Sequence, residues 1–275
     1  MKVILSRKGF DSKAGGHASP ILPSGEMLSL PIPSSLDSVG YEELQAPGRR
    51  NIKQIIDDLD AGAGIVGKGA HADPELIRGM RPRQLNWRHS LGQIGSASGH
   101  LRNEDVGAGD LFLFYGWFRH TELVEDRLQF RRDLPGFHAI YGYLEIDEII
   151  TARDKEDLPR WLHDHPHAVE ARLAQPTNAI YVARPTLSRE TTLAGAGVFC
   201  LRGELVLTKP GLSRSRWALD TAVFRHLKIT YHNDTAWKDG YFQSYARGQE
   251  YVVHADDSAV DWAYDLISGS EIWDL

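Results

Sequence analysis

The stretch GAGDLFLFYGWFRHTE, Gly107 to Glu122, carries five aromatic residues in a run that reads as one β-strand and then breaks into an arginine, a histidine and an acid. Side chains alternate between the two faces of a strand. Phe112 and Phe114 therefore share one face, and Tyr115 and Trp117 take the other. A strand with aromatics on both faces is covered on both sides, so most of these rings belong to a core. The later half, Trp117 to Glu122, is where the strand leaves that core and reads as a pocket rim. The next apolar run, FHAIYGYLEIDEII at 137–150, has the pattern of another strand.

Outward from this pair, KVIL at 2–5, AIYVA at 179–183, GVFCL at 197–201 and ELVLT at 204–208 read as further strands. NIKQIIDDLDA at 51–61 and DSAVDWAYDLIS at 257–268 place apolar residues at helical spacing, the second with an aspartate suited to cap its start. Residues 84–105 read as partly helical, and the proline-rich 17–47 as extended segments and turns. No solenoid period and no low-complexity linker divides the chain. The pattern predicts one α+β domain over residues 1–275, with a mostly antiparallel, curved sheet and flanking helices.

Bulk properties narrow the function classes. A chain of 275 residues is long enough to bury a substantial core, and 42% hydrophobic with 25% charged residues is ordinary for a globular protein. A net charge of −6 argues against a basic coat for non-specific duplex binding, while leaving room for a local basic groove. The single cysteine, Cys200, allows no intrachain disulfide and sits among apolar residues, as a small buried hydrophobe does. The opening residues lack the pattern of a signal peptide, and no 18-residue apolar run is present, so a cytoplasmic location is expected.

Several constellations carry candidate chemistry. In SRKGFDSKAGG, directly after the first strand, Arg7 and Lys8 suit phosphate, and Asp11 can orient Arg7 or accept from a base edge. Gly15 and Gly16 permit close backbone approach, though the spacing is not that of a P-loop. The alternative is a surface turn with an Arg–Asp pair. GLSRSRWALD offers Arg214 and Arg216 for phosphate and Trp217 for stacking a base, or a structural tryptophan beside exposed arginines. Trp117 is a second base-stacking candidate, and Gln249 can read a base edge through its amide. A hairpin with cross-strand aromatic pairs, turning at Asp239 and Gly240, accounts for the Gln249 region equally well.

HDHPH alternates His163, His165 and His167, so an extended segment would put all three on one side, with His165 and His167 the better pair for a metal. Loop capping is the alternative; Pro166 interrupts regular structure, and HDH alone is not a two-histidine, one-carboxylate pattern. His71 with Asp73, His89 and His100 extend the polar candidates, and Asp11, His100 and His120 are the acid–base candidates of a catalytic reading.

Two family resemblances follow from these segments. VGAGDLFLFYGWFRH followed by GFHAIYGYLEIDEI resembles the strand pair of PUA-like barrels, the EVE and ASCH types among them, which implies a PUA-like core near 107–208. LSRKGFDSKAGGHASPILPSGEMLSLPIP, GHLRNEDVGAGDLFLFYGWFR, HPH, NAIYVA, GAGVF and SRWALD, in that order through most of the chain, resemble the third of the bacterial nucleotide-modification-associated domain families. That resemblance implies a nucleotide or a nucleic acid with a modified base as ligand, and other modification-system proteins as partners. It names a context and no reaction, so no catalytic set is carried over. Two further readings stay open: an enzyme, metal-dependent or not, acting on a nucleobase or nucleotide, and an interaction module without a pocket. The sequence requires no cofactor; a divalent metal remains one option.

Overall fold

The aromatic run forms one long strand, Leu111–Val124, and Phe137–Ile150 returns antiparallel beside it, Leu111 opposite Glu145 and Phe118 opposite Phe137. Its two faces are filled as the alternation requires. Phe112 and Phe114 stack 5.7 Å apart on one face, and Phe112 meets Tyr181 edge-on. On the other, Tyr115 packs against Trp217 and Tyr251. All six of these rings are buried, whereas Trp117 is half-buried and Glu122, Leu123 and Val124 are exposed.

The computed structural model describes residues 1–245 and 250–275, the side chain of Arg49 set aside. The strands that position the site are, in chain order, β1 (Val3–Arg7), β2 (Ile32–Ser34), β3 (Gly69–His71), β4 (Ser90–Gln93), β5 (Leu111–Val124), β6 (Phe137–Ile150), β7 (Ala179–Ala183), β8 (Ala196–Phe199) and β9 (Glu250–Val253). The helices are α1 (Ile52–Asp58), α2 (Gly95–Asn103) and α3 (Asp257–Ser268).

The large sheet runs β9-β1-β5-β6-β7-β4, with β8 also on β6. Along this path β1 lies parallel to β5, and the other neighbours are antiparallel. The register of β6 shifts between Ile140 and Gly142 and again between Ile146 and Glu148. Such bulges bend a strand, and the bend carries β6 from β5 at its start to β7 at its end. The α+β architecture with a mostly antiparallel sheet is therefore present. Among the described residues the sheet stays open, β9 at one end and β4 at the other, so it is not a closed barrel.

Helix ends follow local chemistry. Asn51 and Gln54 form a reciprocal capping box at the start of α1 (Gln54 N–H to Asn51 Oδ1 2.9 Å, Asn51 N–H to Gln54 Oε1 2.8 Å), and Ile52, Ile55 and Ile56 are buried. Asp256 caps α3 by accepting from the Ala259 N–H at 3.1 Å. Two expectations differ. ELVLT forms a 3-10 turn at Gly203–Leu205 with single bridges at Val206 and Thr208, because the chain turns between Ala139 and Trp217. Within 84–105, SLGQ is the strand β4 before α2; its burial and its pairing with β7 outweigh weak local β-propensity. No helix among the described residues is long and apolar enough to cross a membrane.

The principal apolar core surrounds β1, β5 and β6, and a second, smaller cluster joins Leu158, Leu162, Ala168 and Leu173 to Ile180 and Val182 of β7. The second cluster pins the segment carrying HDHPH onto the sheet.

Candidate functional site

The loop leaving β1 forms one side of a cleft of about 370 Å³. Arg7, Lys8 and Asp11 line it on that side; Gln93 and Ile94, His71 and Asp73, and His167 with Arg172 line it on the other. The loop is braced internally. Asp11 Oδ1 accepts the N–H groups of Lys13 (2.7 Å) and Ala14 (2.8 Å), and its Oδ2 stands 3.5 Å from Arg7. Gly15 has φ +81°, and a Cβ there would fall 2.4 Å from the Phe10 ring, so both backbone and space require glycine. Lys8 Nζ (3.0 Å) and Gln93 Nε2 (2.7 Å) both donate to Glu250 Oε1, which ties the loop to β4 and β9.

The opposite wall holds a cluster assembled from two segments distant in sequence. His71 ends β3, Asp73 follows it, and His165 and His167 flank the start of a short 3-10 turn at Pro166–Ala168. Asp73 Oδ2 lies 3.9 Å from His71 Nε2 and 4.0 Å from His167 Nε2, while its Oδ1 accepts the Gly92 N–H of β4 at 2.8 Å. Donor atoms of His71, Asp73 and His167 all stand within 4.8 Å of one another, and this is the one such group of potential metal ligands among the described residues. Gly92 makes room for it, since a Cβ there would meet His167 Cδ2 at 2.1 Å.

Buried groups behind the cluster hold it in place. Arg172 bonds Asp37 in a fork, Nη1 to Oδ1 at 2.8 Å and Nη2 to Oδ2 at 2.5 Å, and also donates to the Pro166 carbonyl at 2.6 Å. Asp37 Oδ2 in turn stands 3.2 Å from His71 Nδ1. Burial raises the Asp37 pKa, but the bonds from Arg172, His71 and Ser34 outweigh it and hold the carboxyl well below the usual range. Burial pushes the His167 imidazole well below its ordinary value, with His165 and His71 adding to the effect, so the ring is neutral near pH 7. Burial lowers His165 too, against the pull of Glu75 and Asp73. Glu75 is buried beside Arg81, Arg83 and Trp87; burial raises its pKa, and His165, Arg83 and Arg81 outweigh that and hold it at about 2.

The structure brings Arg7, Lys8, Asp11, His71, Asp73 and His167 to one cleft, with His165 buried 3.6 Å from Asp73, and leaves the other candidates elsewhere. His163, His165 and His167 do not share one side, because turns interrupt the segment and His163 Nε2 bonds the Leu158 carbonyl at 3.1 Å. Arg214 lies near the first loop, with its guanidinium 3.7 Å over the Trp117 ring and Nη2 3.3 Å from Ser12 Oγ. Arg216 sits over Tyr241 instead. Trp217 is fully buried and donates to the Arg214 carbonyl (3.1 Å) and His138 Nδ1 (3.2 Å), which uses its polar edge inside the core. His100 contacts Thr230 Oγ1 at 3.0 Å and the Tyr231 ring, and His120 rests against Phe137; neither lines the cleft. His89 is packed on Trp87. Gln249 lies outside the described residues; the turn near it does form a hairpin, Trp237 across from Phe242.

The sequence pairs His71 with Asp73 and sets His167 apart in HDHPH, and nothing local joins the two. One signal was available: His71-Ala72-Asp73 is itself an H-x-D spacing, and His167 supplies the distant histidine. Asp37, Gly92, Arg172 and Asn178 carried no local signal.

No curated protein and no solved structure matches the chain. A family model described as nucleotide modification associated domain 3 matches residues 2–254. That match spans nearly the whole chain, from β1 through the first loop and the histidine cluster to β9, and the protein belongs to the nucleotide modification associated domain 3 family.

Proposed function

We propose that the chain binds a nucleotide, or a single modified base presented from a nucleic acid, in the cleft between the first loop and the histidine cluster. The observation that carries this reading is the convergence of Arg7 and Lys8 with the Gln93 amide and the His71 and His167 rings on one cavity of about 370 Å³. That volume suits one nucleotide, within the several hundred Å³ typical of small-ligand sites. The net charge of −6 favours a compact ligand over a long duplex footprint. A base taken out of its stack is one such ligand. Membership of a nucleotide-modification family supports the same ligand class. On this reading the chain works in the cytoplasm as one domain, beside other modification-system proteins, and the β5–β6 pair is the PUA-like element of its core.

A second reading, an enzyme acting on the base or nucleotide, is favoured by His71, Asp73 and His167 on the cleft wall. Binding is tested first. A ligand at a hundred times its Kd stabilises the fold by about 2.7 kcal/mol, which thermal shift detects. Nucleoside mono-, di- and triphosphates and short single-stranded oligonucleotides with modified bases are the probes. A rise in Tm that Lys8→Ala weakens about ten-fold in titration, as loss of one phosphate contact worth ~1.4 kcal/mol would, is expected. No shift with any probe at millimolar concentration refutes the reading.

A further inference from the structure

We infer that His71, Asp73 and His167 form a binding site for one first-row divalent metal ion, open toward the cleft. The inference rests on the tautomers that the surroundings impose and not on nucleotide binding.

The Asn178 side chain lies between two groups of the same residue. A carbonyl only accepts, so the Asn178 contact with the His167 carbonyl (3.1 Å) must come from its Nδ2. The Asn178 Oδ1 then faces His167 Nδ1 at 2.8 Å, and that nitrogen must carry the proton. His167 Nε2 is left with its lone pair, directed at Asp73. His71 is oriented by charge: Nδ1 stands 3.2 Å from the Asp37 carboxylate, itself locked by Arg172, which favours the proton on that nitrogen and leaves Nε2 3.9 Å from Asp73. A carboxylate or amide oxygen behind each imidazole is how metal-binding histidines are oriented and made more basic.

His165 does the opposite. Its Nδ1 accepts the His167 backbone N–H at 3.0 Å, so in the neutral ring the proton is on Nε2. That Nε2 is wholly buried, without a hydrogen-bond partner, 3.6 Å from Asp73 Oδ1. It is a donor, not a ligand. It is placed to hydrogen-bond the carboxylate oxygen that the metal does not take, or a water on the metal. A buried imidazole N–H without a partner is costly, and a filled site supplies one.

Donors bonded to one ion at ~2.1 Å stand roughly 3.0–3.4 Å apart, so separations within 4.8 Å need close by no more than about 1.4–1.8 Å. Two imidazoles and a carboxylate, with no thiolate, select the range from Mn²⁺ to Zn²⁺ over Mg²⁺ or Ca²⁺. Three protein donors leave at least one coordination position, as in catalytic rather than structural sites, and here the cleft bordered by Arg7, Lys8 and Gln93 faces it.

The test uses the full chain, stripped with chelator and titrated with Mn²⁺, Fe²⁺, Co²⁺, Ni²⁺ and Zn²⁺ by calorimetry. One equivalent bound at micromolar Kd or tighter is expected for at least one of them. His71→Ala, Asp73→Ala and His167→Ala each weaken it roughly a hundred-fold or more, Asn178→Ala and Asp37→Asn about 10–100-fold, and His165→Gln leaves the stoichiometry at one. Each variant is checked for folding by circular dichroism. Because most of these groups are buried, a second measurement uses the unmodified chain alone: ¹⁵N-imidazole NMR with Zn²⁺ should shift the Nε2 of two histidines, identified as His71 and His167. No binding of any of the five ions at 100 μM overturns the inference. So does binding retained in folded His71 and Asp73 variants, or coordination by a different pair of histidines.

Discussion

Gly92→Ala links the sheet to the cluster and yields a magnitude that follows from the geometry. Gly92 lies in β4 with an ordinary backbone conformation, so alanine meets no strain in φ; space alone decides. The added Cβ would stand 2.1 Å from His167 Cδ2 and 2.2 Å from Cγ, far inside contact distance and against a ring that is itself buried. Either β4 shifts on β7 or the imidazole leaves its place. Crowding of this kind costs about 1–3 kcal/mol. Leaving also breaks the 2.8 Å bond to Asn178 and strands a buried amide, which adds about 1–3 kcal/mol. The sum is a loss of ~2–6 kcal/mol, read as a lower urea midpoint at unchanged slope. The decisive comparison is a double-mutant cycle with His167→Ala, which vacates the space the methyl needs. In that background Gly92→Ala should cost under about 1 kcal/mol. An equal cost in both backgrounds would refute the reasoning, since the ring would then not be what the methyl meets.

Acid should weaken the fold in two stages. Burial, with Arg7 and Arg214 nearby, lowers His138 to about 3, and burial lowers His89 to about 4. Both rings bind fewer protons folded than unfolded, so their contribution is complete above ~6.5 and is lost as pH falls toward those values. Glu75, held at about 2, and Asp37, also depressed, contribute above ~4.3 and lose that contribution as pH falls further. Urea midpoints measured from pH 7.5 to 3.5 should decline first below 6.5 and more steeply below 4.5; a flat profile between 7 and 5 contradicts the histidine part. Trp217→Ala removes a fully buried ring that meets Tyr115, Tyr251 and Phe242, and should cost ~3–5 kcal/mol by denaturant titration. A cost below 1 kcal/mol would mean that the ring is not a core anchor and would reopen Trp217 as a ligand-facing residue.

What the sequence determined by itself is what short-range periodicity encodes. The aromatic run at 111–118 could only be a strand covered on both faces, because its rings alternate and no polar face is left. The helix at 257–268 was legible from apolar spacing and an aspartate at its start, since a capping bond and a buried stripe are properties of neighbouring residues. The loop after β1 stood out because cations, an acid and paired glycines follow a core strand directly, and it borders the cleft.

Tertiary structure decided the rest. SLGQ at 90–93 has little strand propensity, and it is extended because β7 offers a partner edge and burial on both sides. Whether the sheet closed into a barrel was equally non-local: two register shifts in β6 set its bend, and β9 and β4 remain apart. The cluster is the clearest case. His71 and Asp73 lie far from His167 in sequence, and Asp37, Arg172, Gly92 and Asn178 come from still other segments. Packing of the segment around HDHPH onto β7, through Leu158, Leu162 and Leu173, brings them together. No local pattern records that apolar contact, nor the hydrogen bond that turns one histidine into a lone-pair donor and its neighbour but one into a proton donor.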